Sequence, residues 1–333
     1  MPDYKALNSS EYILNAADAD FGMAALELFR YQYANNPLYR SYCDLMKVDA
    51  QQVKDVCQVP FLPISFFKAQ PIVSSPAAVH NAVLVFESSG TTGEVPSRHY
   101  VHNAKIYEDC LLSGFREFYG SPADYTILAL LPSYLERGNA SLVYMARTLM
   151  GAGATGESGF YINEWDKLAA ILHRNEAAGK KTLLLGVTFA LLDFAESHPM
   201  DLRHTRVMET GGMKGRRVEM TRDEVHAILK QQWQLPVVHS EYGMTELLSQ
   251  AYSQGEGIFR CSATMQVLVR DINDPLDVRR QGSGAINVVD LANVHSCAFI
   301  ATEDMGVINA DGTFKVLGRL DHSALRGCSL MAV

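Results

Sequence analysis

The stretch "FESSGTTGEVPSRHY", Phe86 to Tyr100, decides how this chain is read. It continues the apolar run "AVLVF", residues 82–86, which has the composition of a buried strand. Serines, glycines and threonines then crowd into Ser88, Ser89, Gly90, Thr91, Thr92 and Gly93. Glycine lets backbone N–H groups close in on an anion, and hydroxyls add short donors. A strand that runs into such a loop is a common phosphate cradle. Two other strings compete with it. "RNEAAGKKT" has Arg174 where a Walker loop needs its first glycine, and Lys181 where it needs a hydroxyl. "GAGATG", Gly151 to Gly156, has the letters of a dinucleotide fingerprint, but it follows a helical pattern and reads as a helix stop.

Outward from the loop, apolar spacing makes residues 10–56 helical, and Pro60, Pro63, Pro71 and Pro76 turn the next segment into an extended connection. From residue 82, strands and helices alternate: "YTILALLP", "TLLLGVT", "RHTRVMETGG" and "PVVHSEYGMTE" read as strands. "NAKIYEDCLLSGFREFYG", "NASLVYMARTLMGAG" (capped by Asn139 or Ser141), "EWDKLAAILHRNEAAGKK", "FALLDFAES" and "RDEVHAILKQQW" read as helices. Such alternation predicts a mostly parallel α/β sheet. After residue 257 the runs "MQVLVRDI", "GAINVVDL", "CAFIATED" and "GTFKVLGR" are all strand-like. The expected division is therefore an α/β core over 1–256, with its helical N-terminal segment, and a β-rich subdomain over 257–333.

Composition narrows the function. Of 333 residues, 48% are hydrophobic and 20% charged, as in an ordinary globular chain. A net charge of −8 with no basic run argues against a nucleic-acid surface. "MPDYKALNSSEY" has no apolar core like that of a signal peptide, and no apolar run is long enough to span a bilayer. Cytoplasm is the expectation, without membrane insertion. The six cysteines form no C-x-x-C pair, so structural zinc is not expected.

Three further motifs follow the loop in order. They are "TGGMKGR" (Thr210 to Arg216), "SEYGMTE" (Ser240 to Glu246) and "ATEDMGVINADGTFKVLGRLD" (Ala301 to Asp321). Together with "SSGTTG" they resemble the landmarks of the adenylate-forming superfamily of acyl-CoA and phenylacetate-CoA ligases. The resemblance implies ATP and Mg²⁺. It implies that Ser88 to Gly93 bind phosphate, that Gly211 and Gly212 line the adenine, that Tyr242 stacks on it beside Gly243, and that Thr245 holds phosphate. Glu246 would bind the metal, Asp304 the ribose, and Arg319 the nucleotide, with Asp321 at the hinge. An aromatic face for a base, a hydroxyl for an oxyanion and a carboxylate for a hard cation are each chemically sensible. The loop departs from the usual pattern at "EVPSR", where Pro96 is shifted by one and Arg98 stands near the customary lysine. Lys214 is the candidate to replace that lysine.

Nearly the whole chain resembles, more narrowly, the acyl-protein synthetases of the LuxE type. "PFLPISFFK", "LPSYLERGNASL", "ETGGMKGRR", "SEYGMTELLSQAY" and "GRLDHSALRGCSL" carry that likeness. It implies activation of a fatty acid as acyl-AMP, transfer of the acyl group to a cysteine near the C-terminus, here Cys328, and delivery to a partner acyl reductase of the LuxC type. The usual lid domain with its catalytic lysine is expected to be absent. Independently, an acyl adenylate is a good target for a thiolate, and Arg326 stands two residues from Cys328. Tyr134 can face the acyl group or pack in the core, Glu136 and Arg137 can be a surface pair, and His239 a substrate neighbour or a buried histidine. Two other functions stay open: a CoA ligase of the phenylacetate type, and an inactive scaffold.

Overall fold

The computed structural model describes residues 7–74, 80–88, 95–131, 139–153, 156–211 and 220–320. The N-terminal segment is two helices, α1 (Ser10–Asn35) and α2 (Pro37–Leu45). The expected continuous helix breaks at Asn36, whose side chain caps α2 at Tyr39 N while Pro37 fills the first turn. Between Leu45 and Gln58 only a 3₁₀ turn at Val56–Gln58 is helical, so the expectation over 10–56 overran. The extended connection holds β1 (Leu62–Pro63) and the one-turn α3 (Phe66–Ala69).

The run before the phosphate loop does not join the main sheet. β2 (Leu84–Glu87) pairs antiparallel with β3 (Arg98–Val101) as a two-stranded hairpin. α4 (Ala104–Tyr119) follows β3, with Asn103 capping Lys105 N. α4 buries Ile106, Tyr107, Cys110, Leu111 and Phe115, an i, i+3/i+4 stripe.

The chain continues as β4 (Thr126–Leu130), α5 (Ser141–Ala152), β5 (Gly159–Phe160), α6 (Trp165–Ala177), β6 (Thr182–Gly186), α7 (Thr188–Ser197), β7 (Thr205–Glu209), α8 (Arg222–Trp233) and β8 (His239–Tyr242). α5 is capped at Ala140 without a side-chain bond, so neither Asn139 nor Ser141 is the cap expected from sequence. α8 has a capping box between Thr221 and Glu224. Strands β9 (Ala251–Ser253), β10 (Phe259–Cys261), β11 (Met265–Arg270), β12 (Val278–Arg279), β13 (Gly282–Asp290), β14 (Phe299–Ile308) and β15 (Phe314–Arg319) complete the fold.

The sheet order is β12-β11-β13-β14-β15-β10-β9-β8-β7-β6-β4-β5, with β1 paired to β14. The strands from β5 to β8 are parallel neighbours, and β9 turns the sheet antiparallel. The α/β class with its parallel central strands is thus borne out, and the strand-rich end is the antiparallel half. The central strand β6 is buried at every position, as a sheet covered on both faces requires. No helix among the described residues is long and apolar enough to cross a membrane.

Candidate active site

Parallel α/β sheets bind ligands beyond the carboxyl ends of their strands. A cleft of about 260 Å³ opens there, lined by Ser88, Ser97, Thr210, Glu241, Gly243, Thr245, Glu246, Asp304 and Arg319 among others. Five positions expected from the motifs therefore meet in one place besides Ser88: Gly243, Thr245, Glu246, Asp304 and Arg319. Ser89, Gly90, Thr91, Thr92, Gly93, Gly212, Lys214, Asp321 and Cys328 lie outside the described residues, as do Tyr134, Glu136 and Arg137.

The base of the phosphate loop is closed by Ser88 N donating to Ser97 O at 3.1 Å and Ser97 N donating to Ser88 Oγ at 2.9 Å. The second motif is held by a buried carboxylate. Glu209 accepts from Gly211 N at 2.7 Å and from the Thr188 hydroxyl. Gly211 turns there with φ +77°, in the left-handed region glycine tolerates.

The third motif enters the cleft from β8. Glu246 is buried, with its carboxylate bonded to Ser97 and facing the charges of Arg319 and Lys68; burial raises its pKa more than these partners lower it. The backbone around it is tied down from behind. Asn293 Nδ2 donates to Glu246 O at 2.8 Å. His99 bridges Thr245 O (3.0 Å from Nδ1) and Ser296 Oγ (3.1 Å from Nε2). A carbonyl accepts only, so Nδ1 carries the proton and Nε2 accepts from the serine. Burial lowers the His99 pKa to about 4, which keeps this neutral pattern intact. Gln32 and Asn36 reach from the N-terminal helices to Asn293 O and Ser296 O, so those helices buttress the motif.

Tyr242 is placed differently from Gly243 and Thr245. Its ring packs edge-on against Phe259 and Phe314, and its hydroxyl donates to Asp304 Oδ2 at 2.9 Å. Arg319 Nε approaches the other oxygen of Asp304 at 3.6 Å. Asp304 is raised in pKa chiefly by burial. His239 is the buried histidine of the two readings: it sits 3.4 Å from Tyr119 Oη, and burial lowers its pKa to about 4.

The described residues contribute no cluster of three or more metal-ligating side chains. Glu246 alone fits Mg²⁺, which commonly takes one or two carboxylates and completes its shell with phosphate oxygens and water.

The sequence reading missed Lys68, Glu241, Gln250 and His99. Lys68 enters the cleft because β1 pairs with β14 at Leu62–Ile300 and Pro63–Ala301, hanging α3 beside the strand that carries Asp304. "PFLPISFFK" was conspicuous as a string, but the pairing that points its lysine inward is not visible in it.

The family described as "Acyl-protein synthetase, LuxE" matches residues 12–125. A long-chain-fatty-acid--luciferin-component ligase of Vibrio harveyi is 22% identical over 329 residues, covering 91% of this chain and 84% of its own. Among solved structures, a 2-hydroxyisobutyryl-CoA ligase in the postadenylation state superposes with a TM-score of 0.64 at 14% identity, over 94% of this chain and 68% of that one. ATP-bound MatB of Rhodopseudomonas palustris gives 0.51 at 18% identity over 72% of this chain. This chain spans about half of MatB, 48%. The structures establish an adenylate-forming fold. The LuxE resemblance read from the motifs is borne out as a likeness to that family and to a relative named as a ligase.

Proposed function

We propose that this chain, similar to LuxE-type acyl-protein synthetases over most of its length, activates a fatty acid as acyl-AMP and passes the acyl group to its own Cys328. The observation that carries the first step is the meeting of Ser88, Thr245, Glu246, Asp304 and Arg319 in one cleft. The substrate carboxylate oxygen attacks the α-phosphorus of ATP, the α–β phosphoanhydride bond breaks, and pyrophosphate leaves with the electron pair. Mg²⁺ held by Glu246 would neutralise phosphate charge. Thr245 and the loop closed by Ser88 and Ser97 present donors to the phosphates, and Asp304 takes the ribose hydroxyls. The Cys328 thiolate then attacks the acyl carbonyl and AMP departs, leaving a thioester. A partner acyl reductase of the LuxC type is the acceptor this product would serve.

The test is direct. The full chain is incubated with ATP, Mg²⁺ and carboxylic acids without CoA, and its intact mass is taken before and after hydroxylamine. A hydroxylamine-labile acyl adduct supports the reading. Pyrophosphate release that requires CoA would replace it with a CoA ligase, and silence in both would replace it with a scaffold.

Two substitutions probe the cleft. Lys68 is the described lysine on the cleft wall, beside Glu246, where the triphosphate and the substrate carboxylate bring their negative charge together. Lys68→Ala is expected to lower acid-dependent ATP–pyrophosphate exchange by about 10–100-fold, with an unchanged melting temperature because the side chain is exposed. Undiminished exchange would remove Lys68 from the reaction. Asp304→Ala is expected to raise the KM for ATP by about 10–100-fold, the worth of one or two charge-assisted hydrogen bonds. An unchanged KM would exclude the ribose role.

A further inference from the structure

Strand β8 sorts the cleft into two sides. Tyr242 points toward Phe259, Phe314 and Asp304, the side assigned above to the nucleotide. Glu241, its neighbour, points to the opposite face, where it pairs in register with Tyr252 of β9 and stands near Tyr107 and Tyr119 of α4. Its carboxyl leans over Gly243, so close that a Cβ on that glycine would lie 2.3 Å from Oε1. Gln250 flanks the same glycine, its Cγ 3.7 Å from that Cβ position, and spends one amide hydrogen on Leu248 O at 3.3 Å. Both side chains line the cleft.

No hydrogen bond or ion pair reaches the Glu241 carboxyl from the described residues; burial and the nearby Glu209 are what act on it, and they raise its pKa to about 8. That rise favours the protonated carboxyl, which offers an O–H donor. Glu241 is half-buried and its carboxyl faces the cleft, so an unsubstituted methylene chain laid over it would take away its water and leave it unpaired, at about 1–3 kcal/mol. A hydroxyl on the substrate would accept from Glu241 and donate to the Gln250 amide oxygen. Gly243 adjoins the Thr245–Glu246 turn where the reacting carboxylate is placed, so the paired hydroxyl belongs on the carbons next to that carboxylate.

We infer that Glu241 and Gln250 form a specificity subsite for a hydroxyl group close to the carboxylate, so that the preferred substrate is a hydroxy acid rather than an unsubstituted one. The inference rests on the adenylation reading and names its substrate class. ATP–pyrophosphate exchange by the full chain is measured with matched pairs of equal length, such as octanoate against 2- and 3-hydroxyoctanoate and tetradecanoate against its 3-hydroxy form. A hydroxy acid is expected to exceed its plain counterpart in kcat/KM by about 10–100-fold, as one satisfied buried hydrogen bond gives. Glu241→Leu is expected to abolish or reverse that ratio, and Glu241→Gln, which still donates, to retain part of it. Plain acids equal to or better than hydroxy acids in the unaltered protein would overturn the subsite alone. So would an amino acid preferred over both, or a ratio that Glu241→Leu leaves unchanged. Absence of exchange with every acid would overturn the adenylation reading and the subsite with it. The unaltered-protein comparison decides even where the leucine variant does not fold.

Discussion

Cys328→Ser is expected to lose the hydroxylamine-labile acyl adduct completely while acid-dependent ATP–pyrophosphate exchange continues at its original rate. The separation follows from the order of the chemistry. Exchange reports formation and reversal of acyl-AMP, which needs the cleft; the adduct needs a thiolate. Five of the six cysteines are described, and none of the five suits the second step. Cys43 and Cys261 are pushed up to about 12 by burial, and Cys110 and Cys297 higher still. Cys57 is raised by burial and by its neighbour Asp55. A thiol needs a lowered pKa to be reactive at neutral pH, so these five behave as small core or near-core side chains. Peptide mapping supplies the check. An adduct that persists in Cys328→Ser, or that maps to any of the five, would reject the assignment of the nucleophile and leave adenylation standing.

The motif positions that line the cleft stand out in the sequence, and the physical reason is local. Wrapping phosphates, holding a cation and binding a ribose each demand particular residue types within a few positions of one another, so "SSGTTG", "GMTE" and "TED" announce themselves. The supporting half is not local. Lys68 lines the cleft through a strand pairing that spans Leu62 and Ile300. His99 acts on Thr245 across 146 positions. Glu241 stood inside a motif already singled out, yet whether a strand residue faces a nucleotide or the opposite wall depends on register, which the string does not carry. The same limit explains the hairpin. "AVLVF" has the composition of a core strand, but of β2 only Phe86 is buried, and its partner is β3 rather than the parallel sheet.

Asp290→Ala shows how much the site depends on such distant support. Asp290 ends β13 and is fully buried. Its carboxylate accepts from Leu248 N at 2.7 Å, Ser249 N at 2.9 Å, Ser249 Oγ at 2.6 Å and Ala292 N at 3.0 Å. It thereby joins the chain just after Glu246 to the 290–298 loop, whose Asn293 holds the Glu246 carbonyl. Burial raises the Asp290 pKa, and the bonds from Ser249, Leu248 and Ala292 oppose that rise. Removing the carboxylate leaves these buried donors without their acceptor. The expected cost is about 3–5 kcal/mol, the range for breaking a buried charged network. For a chain of this length that corresponds to a drop in Tm of roughly 4–7 °C. Asn in place of Asp offers one acceptor oxygen and turns its amide NH₂, itself a donor, toward the remaining donors, so Asp290→Asn is expected to recover less than half of the loss. Thermal unfolding of the three proteins measures both effects. Because the 245–250 segment loses its anchor, exchange activity should fall well below the temperature at which the rest of the fold melts. A variant that melts normally and exchanges normally would mean that His99 and Asn293 suffice to hold the Thr245–Glu246 turn without Asp290.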